Sequence, residues 1–167
     1  MAGLLIVTAE LAPPDFAWLN DLRRRHYPAE RNRVRAHLTM LHAVAPSAEA
    51  ELRQILRTMS EERPPQARVA GVKNLGGGVA FRVASEELDA IRAEIALRLR
   101  GLLTAQDSPG WSAHVTIQNK VPPRDAKALV QALGDGFTGR PIRISGLGLH
   151  RYLGGPWETL RTFPFRG

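Results

Sequence analysis

Short apolar or alternating runs, separated by proline, glycine and polar clusters, recur along the whole chain and predict alternating strands and helices. Strand-like runs cover residues 4–11, 36–44, 66–75, 79–84, 112–121, 142–153 and 157–163. Apolar residues at helical spacing predict helices over 15–25, from the N-cap Ser47 to about 59, from Ser85 to Gly101, and over 124–133. A loop is expected over 107–111.

The predicted order β-α-β-α-β-β-α-β-α-β-β contains two similar halves. Glycine-rich links at 76–78 and 154–156 indicate hairpins, which favour antiparallel pairing with helices on the outer faces of the sheets. At 167 residues the chain is long enough to bury a core. The pattern therefore predicts an α+β fold in one domain over residues 1–167, made of two small lobes.

Two of the predicted strands share a polar pattern. Ala36-His37-Leu38-Thr39-Met40 is echoed 77 residues later by Ala113-His114-Val115-Thr116-Ile117. Because side chains alternate along a strand, His37 and Thr39 share one face, and His114 and Thr116 do the same on theirs. If these faces met, two imidazoles and two hydroxyls would surround one small anion.

A single His-x-Thr sequence means little, because a lone histidine on a half-buried strand is more often structural than catalytic. Two chance matches to His-x-[Ser/Thr]-apolar are expected in only a few per cent of chains of average composition. A serine hydrolase is disfavoured because no Gly-x-Ser-x-Gly elbow is present. A zinc site fits poorly, since the chain has no cysteine and no His-Glu-x-x-His sequence.

The paired motifs His37-Leu38-Thr39-Met40 and His114-Val115-Thr116-Ile117 resemble those of the two-histidine (2H) phosphoesterase superfamily. That superfamily includes bacterial 2'-5' RNA ligase-like proteins and 2',3'-cyclic nucleotide phosphodiesterases. The resemblance implies two pseudo-symmetric lobes around a central cleft, where the histidine strands meet. It also implies hydrolysis of 2',3'-cyclic phosphodiesters of RNA ends or nucleotides, with 2'-5' ligation as the reverse reaction.

A cyclic phosphodiester requires a base that takes a proton from water and an acid that protonates the departing ribose oxygen. Histidine suits both tasks because its pKa of about 6.5 lets either protonation state be populated near neutral pH. The resemblance implies that His37 is the acid and His114 the base in hydrolysis, with the roles exchanged in ligation. Thr39 and Thr116 would donate hydrogen bonds to the nonbridging oxygens. This scheme needs no metal and no cofactor.

The chain is basic, with a formal net charge of +7, and 20 of its 23 basic residues are arginine. Arginine suits phosphate recognition and a basic surface attracts polyanions, although a compositional bias of the source would give the same charge. Six arginines lie in the predicted loop 23–35 directly before the first motif, and Arg33 is a candidate substrate contact. A solvated loop is the alternative.

Three further residues are candidate substrate contacts. Lys120 lies near the end of the predicted strand 112–121, where alternation directs it and Gln118 with His114 and Thr116, and it would meet a phosphate or remain solvated. His150 and Tyr152 share a face with Gly146 and Gly148, which leave room for a ligand, and Tyr152 could stack on a base or ribose. An edge strand with a partly exposed aromatic residue is the alternative. His42 lies an odd number of positions from His37 and is predicted to be structural.

Two other functions remain open. A binding module for RNA or nucleotides would use the same basic cleft without chemistry, although it would not need two proton-transfer groups. A 2H enzyme acting on a non-RNA cyclic phosphate would keep the same motifs. The first ten residues have neither a basic leader nor an apolar run long enough for a membrane span, so we expect a cytoplasmic protein. A monomer is the default expectation.

Overall fold

The computed structural model describes residues 3–107 and 110–167, and the predicted strands and helices are all present there. The strands are β1 Leu5–Leu11, β2 Leu38–Val44, β3 Gln66–Asn74, β4 Val79–Ala84, β5 His114–Gln118, β6 Arg140–Tyr152 and β7 Trp157–Pro164. The helices are α1 Pro13–His26, α2 Glu49–Met59, α3 Glu86–Arg98 and α4 Pro123–Gly134. Positions 108 and 109 of the predicted loop lie outside the described residues.

The strands pair in the order β2-β1-β6-β3-β4-β5, with β7 also on β6, and each described pair is antiparallel. Strand β6 has 13 residues and joins the two lobes, the first formed by β1, β2 and β7 and the second by β3, β4 and β5. Its first residues pair with β3, and its later residues pair with β1 and β7. The predicted α+β fold with largely antiparallel strands is therefore confirmed.

Strand alternation places the apolar residues of both motifs in one core. Leu38 and Met40 of β2 and Val115 and Ile117 of β5 are fully buried in the same hydrophobic cluster. Helix residues such as Leu19 complete this cluster. Each buried side chain of this size contributes roughly 1.5–3 kcal/mol of transfer free energy, so the core fixes which face of each motif strand turns outward.

The two motif strands stand at opposite ends of the strand order, yet β2 and β5 lie against each other. An isolated backbone bridge between Val44 and Leu103, together with two side chains, occupies the free edge of β2. The Asp107 carboxylate accepts the backbone N–H groups of His42 and Ala43 at 2.7 and 2.8 Å, and the Trp111 indole donates to the Thr39 carbonyl at 3.0 Å. These bonds hold the segment before β5 against β2, since an unpaired buried backbone group would be costly.

Two buried arginines make matching connections between the halves. Arg23 of α1 donates to the Thr116 carbonyl on β5 at 2.9 Å, and Arg92 of α3 donates to the Met40 carbonyl on β2 at 3.2 Å. Each guanidinium also lies over an aromatic ring, Arg23 over Tyr27 and Arg92 over Trp111. The helix inserted in each half thus holds the motif strand of the other half.

Some predicted boundaries were wrong. Helix α1 runs from Pro13 to His26, so Arg23, Arg24 and Arg25 are helical, as the predicted helix 15–25 had them and the overlapping predicted loop 23–35 had not. Helix α2 has Ala48 as its N-cap, because Ser47 lies in a preceding 3-10 turn. Strand β5 ends at Gln118, after a register shift that pairs Gln118 with Val79 of the core. Alternation therefore does not continue as far as Lys120.

Candidate active site

A cleft of about 620 Å³ opens on the first lobe, between β1, β6, β7 and the residues before β2. Its walls include His37, His150 and Trp157, together with Glu10 and Phe16. The volume lies within the range of small-molecule sites. The rings, hydroxyls and charges in its walls make this cleft a candidate ligand-binding site.

His37 lies directly before β2 and is half-buried in the cleft wall. Its Nδ1 lies 2.7 Å from the backbone carbonyl of Arg35, and its ring centroid lies 4.6 Å from that of Trp157. A carbonyl can only accept a hydrogen bond, so Nδ1 carries the proton and donates it. Nε2 of the neutral ring is therefore an acceptor, available to a substrate proton.

The surroundings of His37 oppose its positive form. The pKa of His37 is lowered from 6.5 to about 4. Burial is the largest cause, the hydrogen bond to the Arg35 carbonyl opposes it, and the charges of Arg23, His150 and His42 add to the lowering. His37 is consequently neutral at pH 7 in the unliganded protein.

His114 repeats the local geometry of His37. It is the first residue of β5 and half-buried, and its Nδ1 lies 2.9 Å from the carbonyl of Ser112, two residues earlier in the chain. This hydrogen bond assigns the same tautomer, with Nε2 as the acceptor. Across β4, His114 pairs with Arg82, an exposed residue that forms no ion pair within the described residues.

The polar faces of the two motif strands both turn away from the core. The apolar residues of both motifs are buried in one cluster and β2 contacts β5, so alternation directs each His/Thr pair to the other face of its strand. Thr39 is buried and Thr116 half-buried. The backbone carbonyl of Thr39 accepts a hydrogen bond from Trp111, and that of Thr116 accepts one from Arg23. His114 and Thr116 belong to the second lobe and are not among the described residues lining the 620 Å³ cleft.

His150 lies in the cleft but both of its ring nitrogens are occupied. Thr8 Oγ1 is 2.8 Å from Nε2, and Thr159 Oγ1 is 3.0 Å from Nδ1. Burial lowers the pKa of His150 to about 4, so this ring is also neutral at pH 7. Trp157 lies between the two imidazoles, with ring centroids 4.6 Å from His37 and 5.4 Å from His150.

The other predicted contacts are placed differently. Arg33 is exposed and lines the cleft, whereas Tyr152 and Lys120 are absent from its described walls. Tyr152 is half-buried at the end of β6, and Lys120 is exposed in a turn with a φ of 63°. His42 lies 3.2 Å from the Asp107 carboxylate, as expected for a structural residue.

Sequence reasoning missed Trp157, Glu10 and the holding role of Arg23. Arg23 had a usable signal, because it follows Leu19 and Leu22 at helical spacing and so falls on the buried face of α1. Trp157 and Glu10 had none, since only long-range strand pairing brings them to His37.

No group of three or more His, Cys, Asp or Glu side chains in the described ranges is arranged to hold a metal ion. Among the same residues, no helix is both long and apolar enough to cross a membrane.

Solved structures with the same fold are found at low sequence identity. TT0787 of Thermus thermophilus matches with a TM-score of 0.60 at 16% identity, over 98% of both chains. LigT of E. coli complexed with 3'-AMP matches with a TM-score of 0.61 at 14% identity, over 100% of both chains. A structure described as a phosphoesterase matches with a TM-score of 0.63 at 18% identity, also over 100% of both chains. A comparison with curated proteins found no match.

A family model provides the remaining comparison. The model of the 2'-5' RNA ligase superfamily matches residues 11–156, which include both His-x-Thr motifs and most of the described fold. The 2H phosphoesterase resemblance is thereby confirmed, and the chain belongs to the 2'-5' RNA ligase superfamily.

Proposed function

We propose that the protein hydrolyses 2',3'-cyclic phosphodiesters of RNA ends or nucleotides, with His37 and His114 as the proton-transfer groups. The main support is the matched geometry of the two histidines. Each donates Nδ1–H to the carbonyl two residues earlier, and each lies at the start of a motif strand whose polar face turns away from the shared core. Both therefore offer Nε2 as a proton acceptor, and we propose that the two rings flank one phosphoryl group.

In the proposed reaction, a water oxygen attacks phosphorus while His114 Nε2 takes its proton. The bond from phosphorus to the ribose O3' breaks, and protonated His37 delivers a proton to that oxygen, leaving a 2'-phosphate. With a ribose 5'-hydroxyl in place of water, the same attack forms a 2'-5' bond, and the reverse of that step cleaves the bond and regenerates the cyclic phosphate. Thr39 and Thr116 donate hydrogen bonds to the nonbridging oxygens as negative charge develops there.

The low pKa of His37 is compatible with its role as the acid once the substrate is bound. A negative charge within about 4–6 Å raises a histidine pKa by about 1–3 pH units. From about 4, this brings His37 towards the range where an acid works at neutral pH. The bound phosphoryl anion would thus favour uptake of a proton from solvent by His37, whereas His37 would stay neutral in the empty site.

Charge and the related structures support a nucleotide or RNA end as the substrate. Arg33 and Arg35 line the cleft beside His37, and Arg82 lies opposite His114 on the second lobe. Structures of E. coli LigT contain 3'-AMP, NADP+ or ATP, which shows that this relative accommodates nucleotides. We propose that the protein acts as a cytoplasmic monomer without a metal ion or cofactor.

The test is turnover of nucleoside 2',3'-cyclic phosphates and 2'-5'-linked oligonucleotides in excess chelator, with identification of the product isomer. His37→Asn and His114→Asn should each lower kcat by at least about 100-fold, the scale of one general acid or base. His26→Asn, on α1 and outside both motifs, is the matched control. Unchanged turnover in either motif variant would refute the mechanism, and binding without turnover in the native protein would indicate a binding module.

A further inference from the structure

The cleft contains a carboxylate whose role is not explained by the two-histidine mechanism. Glu10 is half-buried in the cleft wall and forms no ion pair with any described residue. Burial raises the pKa of Glu10, while the Thr8 hydroxyl and the charge of Arg35 partly offset this effect. A carboxylate partly withdrawn from water, with one hydroxyl donor and no ion-pair contact, would gain hydrogen bonds from a ligand that brings donors into the cleft.

The carboxylate is the end of a directed chain of hydrogen bonds. Thr8 Oγ1 donates its single proton to Glu10 Oε2 at 3.3 Å, so the Thr8 oxygen accepts from His150 Nε2–H at 2.8 Å. Neutral His150 then accepts the Thr159 hydroxyl proton on Nδ1 at 3.0 Å. Each hydrogen-bond donor in this chain already has an acceptor. Glu10 Oε1 is not part of the chain, so it can still accept a hydrogen bond.

A glycine provides the space in which these groups meet. A Cβ built on Gly148 would lie 2.6 Å from Thr8 Oγ1, 2.7 Å from Glu10 Oε1 and 2.7 Å from His150 Nε2. Gly148 pairs with Thr8 across β1 and β6, so the three polar atoms converge directly over its Cα. Any larger residue here would displace Glu10 Oε1.

We propose that this part of the cleft binds the nucleobase next to the cyclic phosphate, and that Glu10 selects guanine. The inference rests on the proposed function, because it assigns a base to the substrate of the same site. Trp157 and Phe16 provide flat apolar walls in the same cleft, and Trp157 also contacts His37. A base held against these walls would place its ribose phosphate near the His37 ring.

Guanine fits a carboxylate acceptor better than the other bases do. Its N1–H and its exocyclic amino group are adjacent donors on one edge, and the two oxygens of a carboxylate can accept both. Adenine and cytosine each place one amino group beside a ring acceptor, which would face the carboxylate unfavourably. Uracil offers one N–H between two carbonyl oxygens, so it is the poorest match.

The experiment compares kcat/KM for the guanosine, adenosine, cytidine and uridine 2',3'-cyclic phosphates at pH 7.5. In the native protein, guanosine should exceed uridine by roughly 10- to 100-fold, the range that a bidentate base contact provides. Glu10→Gln replaces one acceptor oxygen by a donor, so it should remove most of this ratio by lowering the guanosine value alone. Glu158→Gln, on β7 beside Trp157 but not among the described cleft walls, should leave the ratio unchanged.

Equal kcat/KM for the four bases in the native protein would overturn the proposal. So would a uniform loss with all four substrates in Glu10→Gln, because that result would assign Glu10 to the ribose or to His37. Thermal melts show whether Glu10→Gln folds. A second variant, Glu10→Asp, keeps the charge but has a shorter side chain, so it should lower the guanosine-to-uridine ratio of kcat/KM only partially.

Calorimetric titration with 3'-GMP and 3'-UMP separates this inference from the proposed hydrolysis. Preferential binding of 3'-GMP that Glu10→Gln abolishes would support the base site even if no cyclic phosphate were turned over. Turnover of all four substrates with equal affinity for the two nucleotides would support hydrolysis and refute the base site.

Discussion

Replacing Trp157 with alanine is expected to raise the pKa of His37, because the indole ring covers the imidazole in the cleft. The pKa of His37 falls from 6.5 to about 4, with burial as the largest cause. At 1.36 kcal/mol per pH unit, the surroundings disfavour the imidazolium by roughly 3 kcal/mol. Removing a ring 4.6 Å away admits water to one face, so we expect a rise of at least about one pH unit.

The measurement is an NMR titration of the histidine ring protons between pH 3 and 8, with His37 assigned by comparison with His37→Asn. Trp157→Phe is the matched control, since it keeps an aromatic ring over the imidazole and should leave the pKa of His37 near its native value. His150 contacts the same indole, at 5.4 Å, and should shift in the same direction in Trp157→Ala.

Two results would refute this reasoning. A native His37 that titrates near 6.5 would show that the cleft does not exclude water from the ring. A pKa that stays at about 4 in Trp157→Ala would show that neighbouring charges, such as that of Arg23, outweigh burial. A second titration with bound inorganic phosphate tests the mechanism itself, because the anion should raise the pKa of His37 by about 1–3 pH units.

Three further predictions concern the framework. Arg23→Gln and Arg92→Gln should each lower the free energy of unfolding by about 1–3 kcal/mol in urea titrations, because each leaves a motif-strand carbonyl without its donor. Gly78→Ala should destabilise by about 1–3 kcal/mol, because its Cβ would overlap a β5 carbonyl, whereas Gly77→Ala, with 3.5 Å to its nearest neighbour, should change stability by less than about 0.5 kcal/mol. The folded pKa of His150 lies below its unfolded value. Its contribution to the free energy of unfolding is therefore complete above pH 6.5 and is lost as the pH falls to about 4. His150→Asn should remove roughly 3 kcal/mol of the pH dependence of stability in that window.

The elements were predictable because apolar periodicity is a local signal. The alternation of Leu38 with Thr39 or of Val115 with Thr116 is imposed by a single strand, and the structure retains it. The prediction failed where a distant partner changed the register. Gln118 was expected to follow Thr116 in direction, but a shift in the β4–β5 pairing sets it opposite core residue Val79.

The cleft was predictable only in part. The two His-x-Thr segments carry their own geometry, since each Nδ1 bonds to a carbonyl two residues earlier in the chain. Trp157 reaches His37 only because β7 pairs with β6, β6 with β1 and β1 with β2. No local pattern encodes such a chain of pairings, so the contact between Trp157 and His37 could not be predicted from the sequence.

The two buried arginines connect the two halves that the proposed mechanism requires. Arg23 belongs to the helix between β1 and β2, yet it holds the carbonyl of Thr116 in the second motif. Arg92 belongs to the helix between β4 and β5, yet it holds the carbonyl of Met40 in the first motif. Each motif strand thus has a carbonyl held by a helix of the other half, so we expect each half to stabilise the other's motif strand. The proposed reaction needs a base and an acid on opposite sides of one phosphoryl group, and these two contacts would help to keep the motifs in a fixed relative position.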